Sequence, residues 1–507
     1  MSEKKSTYLS VITGMLVILV NLAINFVLSP YIVNTLGEEA NGFTQLANNF
    51  VYCASFITIA FNSMAARFIS ISYHQGDKDK MQRFYSSTLI CNFAIIIVLL
   101  PIAIYIVMQL EKLVNVGNTD VEDLKLLFLC VFLNFFVDLL LSAFQIGMYV
   151  KNALYLQNAM SLIRNVLYGI LLLVVFSIFP AKIFYVSLLT LILGFLILPA
   201  FVYAQSKLVP ELTFDVKFFS FEHVKEMFRA GIWNAINQGG NILMTGLDLL
   251  IANLFVGSKL MGILSVSKTI PTAIVSIVAT INTNFSPSVT KSWATESTET
   301  LLKHLRTNIK FSAIIVSLPI MTFTVLGEEF YRLWMPSLDA KMLAELSFLA
   351  IVAYIPAAGT QTLFTIFTAM NKMKVNSIAF IINGIVNVVL VVALVNYTDL
   401  GVYAIAGVSS ITSIVRNIVV TLPYVSKLLN VKWYEFYKDT LLAIVYAAIN
   451  FGVGVVIKNI ISIDSWLMLI VAVMLVVSMT LCIEFMLCLS KEEKEQFINI
   501  VRRKSNG

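Results

Sequence analysis

Eight ionisable residues fall inside long apolar stretches of this chain: Arg67, Asp138, Arg164, Asp248, Lys268, Lys310, Arg416 and Glu484. A charge in hydrocarbon costs at least about 2.5 kcal/mol on insertion scales, so each needs a partner, water or a route to an interface. Arg67, Arg164 and Arg416, if they converge, make a cationic vestibule for phosphate, which the planar guanidinium grips through its fork of N–H donors. Each taken alone has the blander course of snorkelling to a nearby membrane face. Asp138, near the middle of its stretch, and Asp248 are candidate proton or cation sites. Asp248 and Lys268 sit about nine and about six residues from the break between their segments, which a rise of 1.5 Å per residue sets at similar depths, placed to pair. Glu484, near the end of the last stretch, is expected to be solvated.

Uncharged polar residues repeat at helical spacing in the same stretches. Asn21, Asn25 and Ser29 stand four apart, and Asn237, Asn241, Thr245 and Asp248 follow at four, four and three. Such spacing stacks side chains on one helix face. Asn48, Tyr52, Ser55 and Asn62 mark a third face, and Lys268, Thr272, Ser276 and Thr280 a fourth. Four matched stripes suggest one hydrated cavity, with Asn21, Asn25 and Asn241 as candidate substrate contacts. The competing reading is hydrogen bonding between packed membrane helices.

The elements that must position these residues are set by composition. Hydrophobic residues make up 59% of the 507 and charged residues 13%, against roughly 45–50% and about 25% in a soluble protein. The apolar residues come in runs of about twenty or more, enough to cross a hydrocarbon core of roughly 30 Å. Short polar breaks divide them into about fourteen transmembrane helices. The first run, to about Val33, is too long for a cleaved signal sequence and is read as a retained span. Cys53, Cys91, Cys130, Cys482 and Cys488 all lie in apolar segments, as expected of small hydrophobes rather than a disulfide framework.

Lys and Arg alternate by loop. Breaks carrying Lys78, Lys80 and Arg83, or Lys207, Lys217, Lys225 and Arg229, are rich in them, and the intervening ones are poor. The positive-inside rule then puts both termini in the cytoplasm and explains the net charge of +6 without a nucleic-acid partner. The stretch 206–229, with Phe221, Val224, Met227 and Phe228 on one side, reads as an interfacial amphipathic helix. His74, His223 and His304 lack ligand spacing, and no glycine-rich phosphate loop is present. No metal or other cofactor is expected, and no catalytic constellation points to an enzyme.

The chain also repeats itself at an offset of about 219 residues. Ile32-Val33-Asn34 matches Ile251-Ala252-Asn253, Gly42 matches Gly262, Asn62 matches Asn282, Asn152 matches Asn371 and Tyr185 matches Tyr403. Six helices per copy make the repeats parallel, and in such transporters substrate sites lie at the repeat interface. The expected organisation is an N-terminal lobe over 1–206, a C-terminal lobe over 207–435, and two added helices with a cytoplasmic tail over 436–507.

Three segments carry a family resemblance: Leu28-Ser-Pro-Tyr-Ile-Val-Asn-Thr-Leu-Gly37 with Ala40-Asn-Gly-Phe43; Asn62-Ser-Met-Ala-Ala-Arg67 leading to Gln75-Gly-Asp77; and Glu329-Phe-Tyr-Arg-Leu-Trp334. On these the chain resembles the Wzx-type polysaccharide flippases of the multidrug, oligosaccharidyl-lipid and polysaccharide exporter superfamily. The resemblance implies an all-α fold of two six-helix lobes around a central cavity. It implies alternating access that moves a lipid-diphosphate-linked oligosaccharide to the outer leaflet of a bacterial cytoplasmic membrane. Lys268 and Arg67 are the positions able to supply the cationic cavity residues of relatives. Membrane lipids, a polysaccharide polymerase and export machinery are the implied partners.

Two readings compete with the flippase. A multidrug or small-molecule cation antiporter of the same fold would need unpaired carboxylates, whereas Arg and Lys outnumber Asp and Glu within the spans. A membrane glycan polymerase or glycosyltransferase would need convergent acid, base or metal groups, which the short loops do not supply.

Overall fold

The computed structural model describes residues 3–370 and 372–487, with the side chains at 3, 4, 61, 277, 280–288, 294 and 487 left out of the description. Asn371, Cys488 and the basic tail invoked for topology lie outside the described residues, as do the side chains of Thr280 and Asn282. The described chain is helical, as its composition requires. In a bilayer the backbone must satisfy its own hydrogen bonds, which a helix does within one segment.

Six long helices come first: α1 (Glu3–Leu36), α2 (Glu38–His74), α3 (Lys78–Met108), α4 (Val121–Phe144), α5 (Leu154–Ile178) and α6 (Phe184–Leu208). Two interrupted helices follow. α7 runs as Phe221–Asn241, a π-helical turn Ile242–Gly246, and Asp248–Phe255; α8 runs as Ser258–Ser267 and Thr269–Thr295. The remainder are α9 (Thr298–Trp334), α10 (Ala340–Ile351 with Tyr354–Ala369), α11 (Met373–Tyr397), α12 (Val402–Arg416, a π turn Asn417–Thr421, Leu422–Leu428), α13 (Tyr437–Ile460) and α14 (Trp466–Leu487). Twelve of these are long and apolar enough to cross a membrane, and α7 and α8 stand between the sixth and seventh of that set. The sequence expects about fourteen spans; twelve helices among the described residues have the length and composition for it.

The stretch before α7 corrects one expectation. Residues 206–208 end α6, residues 209–215 form no helix, Val216–Phe218 make a short 3-10 turn, and the helix that opens at Phe221 continues without a break to Asn241. The amphipathic face, with Phe221 and Phe228 exposed, is the first part of α7 and not a separate surface helix.

The repeat leaves a local signature. Gly37 ends α1 at φ +87° and Gly257 ends α7 at φ +105°, a left-handed backbone that glycine adopts without steric cost. They stand about 220 residues apart, at the repeat offset. Five residues beyond each comes another matched glycine. A Cβ on Gly42 would stand 2.8 Å from the Gly262 Cα, and one on Gly262 would stand 2.4 Å from the Glu38 carbonyl oxygen.

Two compact units divide the chain. The first holds residues 1–266 and 377–405. Within it α7 lies along α2: a Cβ on Gly231 would overlap the Ala60 carbonyl oxygen at 1.6 Å, so only glycine permits this backbone contact. Asn234 Nδ2 donates to Ser63 Oγ at 3.1 Å and Gln238 Nε2 to Ser55 Oγ at 3.0 Å along the same seam.

The second unit holds residues 267–376 and 406–507. Its axis is the pair α9 and α13. Asn450 Nδ2 bonds the carbonyls of Ser317 and Leu318 at 3.1 and 3.2 Å. Lys458 pairs with Glu329 at 2.8 Å and donates to the Val325 carbonyl at 3.0 Å. At the opposite end Arg306 pairs with Glu435 and lies 3.8 Å from Asp439. The helix that follows the repeat is therefore ion-paired to α9 at both ends. α14 packs on α9 and α13 through Leu469, Ala472 and Val476 against Val325, Leu326 and Ile457.

Candidate functional site

The most concentrated polar chemistry inside the first unit joins α4, α5 and α6. Asn134 and Asp138 stand four apart on α4, so both side chains leave one face. Arg164 on α5 meets them: its Nη1 is 2.8 Å from Asp138 Oδ1, and its Nη2 donates to Asn134 Oδ1 at 2.8 Å and to the Thr190 carbonyl at 3.2 Å. Asn134 Nδ2 closes the ring on Asp138 Oδ2 at 2.9 Å. Gly194 on α6 makes the space, since a Cβ there would stand 3.3 Å from both Arg164 Nη2 and Asn134 Oδ1.

Two residues that the sequence treats separately, one as an anion contact and one as an ion site, are thus a single charge pair. Arg164 is held within the span rather than reaching for an interface. The Asp138 side chain is 43% exposed and that of Arg164 20%, so the pair is open on its carboxylate side. Asn134 and the Thr190 carbonyl were not foreseen. The four-residue spacing of Asn134 and Asp138 was the available signal; a backbone acceptor leaves none.

The asparagine stripes of α1 and α7 behave differently. Asn21 is half-buried and Asn25 exposed, and Asn237 and Asn241 are half-buried. Their side chains form no hydrogen bond among the described residues. Of the α2 stripe, Asn48 is exposed and bonds its own helix at the Thr44 carbonyl, while Ser55 and Asn62 are spent on packing. Ser55 accepts from Gln238, and Asn62 Nδ2 donates to Asn92 Oδ1 at 3.1 Å. For those residues the reading as helix-to-helix contacts is the correct one. Arg67, lower on α2, is exposed and makes no ion pair among the described residues.

Asp248 is buried and opens the last segment of α7. The π turn before it frees the Leu243 and Met244 carbonyls, which Asn387 Nδ2 of α11 caps at 3.1 and 3.2 Å. The two helices reach this contact because Gly240 faces the Phe380 ring and Gly384 faces Leu243. Sequence reasoning missed Asn387, for nothing in its neighbourhood signals a π turn more than 140 residues away.

The remaining candidates lie in the second unit. Lys268 is half-buried at the break in α8. The break is fixed by the Ser267 carbonyl, which accepts from Ser347 Oγ at 2.8 Å and Tyr331 Oη at 3.3 Å. Arg416 is half-buried, directly before the π turn of α12, and its Nη2 donates to Asn417 Oδ1 at 3.1 Å.

A polar interlock surrounds the α1–α2 turn in the first unit. Glu39 accepts from Ser258 Oγ at 3.0 Å and from the Asn118 amide at 3.2 Å. Asn253 exchanges two bonds with the Asn115 backbone at 2.7 and 2.9 Å, and Asn41 Nδ2 donates to Ser265 Oγ at 2.7 Å. These bonds tie the start of α2 and the α3–α4 connection to the turn between α7 and α8.

Comparison with known proteins gives this arrangement a family. A family model described as polysaccharide biosynthesis protein matches residues 9–293, more than half of the chain. The chain belongs to that family. This polysaccharide biosynthesis protein is similar to EpsK of Bacillus subtilis (strain 168), an uncharacterized membrane protein, with 29% identity over 478 residues and 94% of each chain covered. It superposes on the lipid II flippase MurJ in an inward closed conformation with a TM-score of 0.68 and 15% identity, over 94% of this chain and 99% of that one. An inward-facing multidrug resistance MATE family transporter of the MOP superfamily gives 0.67 and 14%, over 84% and 98%. At these identities the likeness is one of fold. The fold is that of the MATE and MurJ transporters, and the protein is a multi-pass membrane protein.

Proposed function

We propose that this polysaccharide biosynthesis protein is a flippase that carries a lipid-diphosphate-linked oligosaccharide from the cytoplasmic to the outer leaflet by alternating access. The observation that carries the reading is the conjunction of family and fold: a polysaccharide biosynthesis family match on a chain folded like a lipid II flippase. A polysaccharide assembled on a lipid carrier at the cytoplasmic face needs that carrier's headgroup moved across the bilayer, and this step fits a membrane-spanning member of a polysaccharide biosynthesis family. A scaffold in which α7, α8, α10 and α12 are interrupted suits that task, because irregular backbone at membrane depth is tolerated where it lines a cavity.

The division of labour follows the side chains. Arg67, exposed and unpaired, meets the diphosphate, and Arg164, Lys268 and Arg416 add positive potential that favours an anionic headgroup. Asn21, Asn25 and Asn241, with no partners among the described residues, offer amide donors and acceptors to glycan hydroxyls. An amide in hydrocarbon without a partner is costly, so these faces meet water or substrate. Asp138, bound to Arg164, and Asp248 are the proposed ion-coupling carboxylates. Asp138 acts by trading Arg164 for an ion, releasing the guanidinium to the substrate. The orientation is N- and C-termini in the cytoplasm of a bacterial inner membrane, with a polymerase and export machinery receiving the flipped lipid.

The test is reconstitution. Purified protein in vesicles holding a fluorescent lipid-diphosphate oligosaccharide in both leaflets should make the inner pool accessible to an impermeant glycosidase. Protection equal to that of protein-free vesicles would defeat the reading. A drug or dye moved in place of the lipid would favour the cation antiporter of the same fold.

A further inference from the structure

Among the carboxylates within the spans of the described chain, Glu484 stands apart. Asp138 is paired with Arg164 and Glu329 with Lys458, and Asp248 is not free. Glu484 on α14 is 1% exposed, and neither of its carboxyl oxygens has a hydrogen-bond partner among the described residues. One turn earlier on the same face, Thr480 is fully buried and its Oγ1 is also without a partner. The expectation that Glu484 is solvated near the membrane face is therefore wrong. Its depth along the helix is close to an interface, but α14 turns it against protein.

The helices packed on α14 are α9 and α13. The charged and titratable groups on the corresponding half of α9 are Glu299, Lys303, His304, Arg306 and Lys310, and those on α13 are Tyr437, Lys438, Asp439 and Tyr446. None gives Glu484 a hydrogen bond. Arg306 is engaged with Glu435 and Asp439, and His304 lies 3.4 Å from Glu296. An ionised carboxylate in this place would have neither a counter-charge nor a donor, the most expensive state for a buried acid. A neutral acid carries its compensating charge as its own proton.

We infer that Glu484, in addition to Asp138 and Asp248, is an ion-coupling carboxylate of this transporter, and that the ion it binds is a proton. The inference rests on the transport reading above and names its coupling ion. A metal cation is the poorer fit. Sodium needs about as many oxygens as other hard cations, around six, and the site offers three. No group of three or more His, Cys, Asp or Glu side chains suited to a metal occurs among the described residues. The step is simple in balance: the Glu484 acid gives its proton to water on one side of the membrane in one state of the cycle and takes one from water on the other side in the alternate state.

The experiment uses the full-length protein in lipid vesicles, with dicyclohexylcarbodiimide as the probe. This apolar reagent adds to a protonated carboxylic acid in a low-dielectric site and leaves a stable N-acylurea. Mass spectrometry should find the adduct on Glu484 at pH 8, where exposed carboxylates are ionised and unreactive, and should find none on Glu484→Gln. Because the adduct is read on the wild-type chain, it does not depend on how the variant folds. In the same vesicles an imposed proton gradient should speed lipid-linked oligosaccharide translocation severalfold, and Glu484→Gln should abolish that gain. An unmodified Glu484 in folded protein, or a Glu484→Gln protein that responds to the gradient as wild type does, would overturn the inference. An adduct at Glu484 with no translocation by the wild type would count against the transport reading alone.

Discussion

Gly42 and Gly262 occupy equivalent places in the two sequence repeats and meet in the structure: a Cβ on the first would approach the Cα of the second to 2.8 Å. The contact carries the start of α2 against the start of α8, where Asn41–Ser265 and Glu39–Ser258 add hydrogen bonds. Gly262 is the more restrictive of the two, because its Cβ would come nearer to backbone, at the Glu38 carbonyl, than a Gly42 Cβ would at the Gly262 Cα.

Gly262→Leu should therefore separate these backbones. Overpacking at a close contact costs about 1–3 kcal/mol, which should appear as a lower melting temperature in detergent. Gly452→Leu, where no atom lies within 4 Å of a Cβ, should melt like wild type.

The Arg164–Asp138 pair separates a structural role from a transport role. Removing one partner of a paired charge in a span strands the other, so Arg164→Met and Asp138→Leu should each lower stability, and the double variant should recover much of the loss. If Arg164 is also lent to the diphosphate, the double variant will be stable but impaired in translocation. Double-mutant cycles on melting temperature and on vesicle transport, run side by side, give the two answers.

Asn387 holds a defect in place. Asn387→Leu leaves the Leu243 and Met244 carbonyls of the π turn without their donor. Interhelical hydrogen bonds in membranes are worth about 0.6 kcal/mol on average, with a maximum near 1.7. Thermal unfolding should show a loss within that range. A larger fall in transport than in stability would mark the π turn as a working part of α7.

The two clamps between α9 and α13 should respond differently to salt. Arg306 is half exposed and its pairing with Glu435 and Asp439 should weaken as ionic strength rises. Lys458–Glu329 is more enclosed, with side-chain exposures of 34% and 11%, and should hold. Charge-removing variants at each pair, melted at low and high salt, should show a salt-dependent difference from wild type only at Arg306.

The helices were legible because a bilayer leaves the sequence little freedom. Apolar runs of spanning length can be little else, and the asparagine spacing on α1 and α7 placed partner-free amides on one face before any coordinates. The offset of the repeat also anticipated that Gly42 and Gly262 would be equivalent, though not that they would touch. What could not be read was helix rotation. Arg164 and Asp138 are 26 residues apart on different helices, and spacing along one helix says nothing about which neighbour it faces. Glu484 failed for the same reason, since its place near the end of α14 did not tell which way its side chain turns. The π turns of α7 and α12 are set by tertiary partners such as Asn387, and their own segments read as continuous helix.

The central claim is that this protein moves lipid-linked oligosaccharide across the membrane, and depletion in the cell tests it most directly. With the protein removed and glycan synthesis left running, lipid-linked oligosaccharide should collect on the cytoplasmic leaflet, shielded from an impermeant glycan-modifying reagent until the membrane is broken. Lipid-linked oligosaccharide reaching the outer leaflet at the undepleted rate, with only dye efflux altered, would contradict the account.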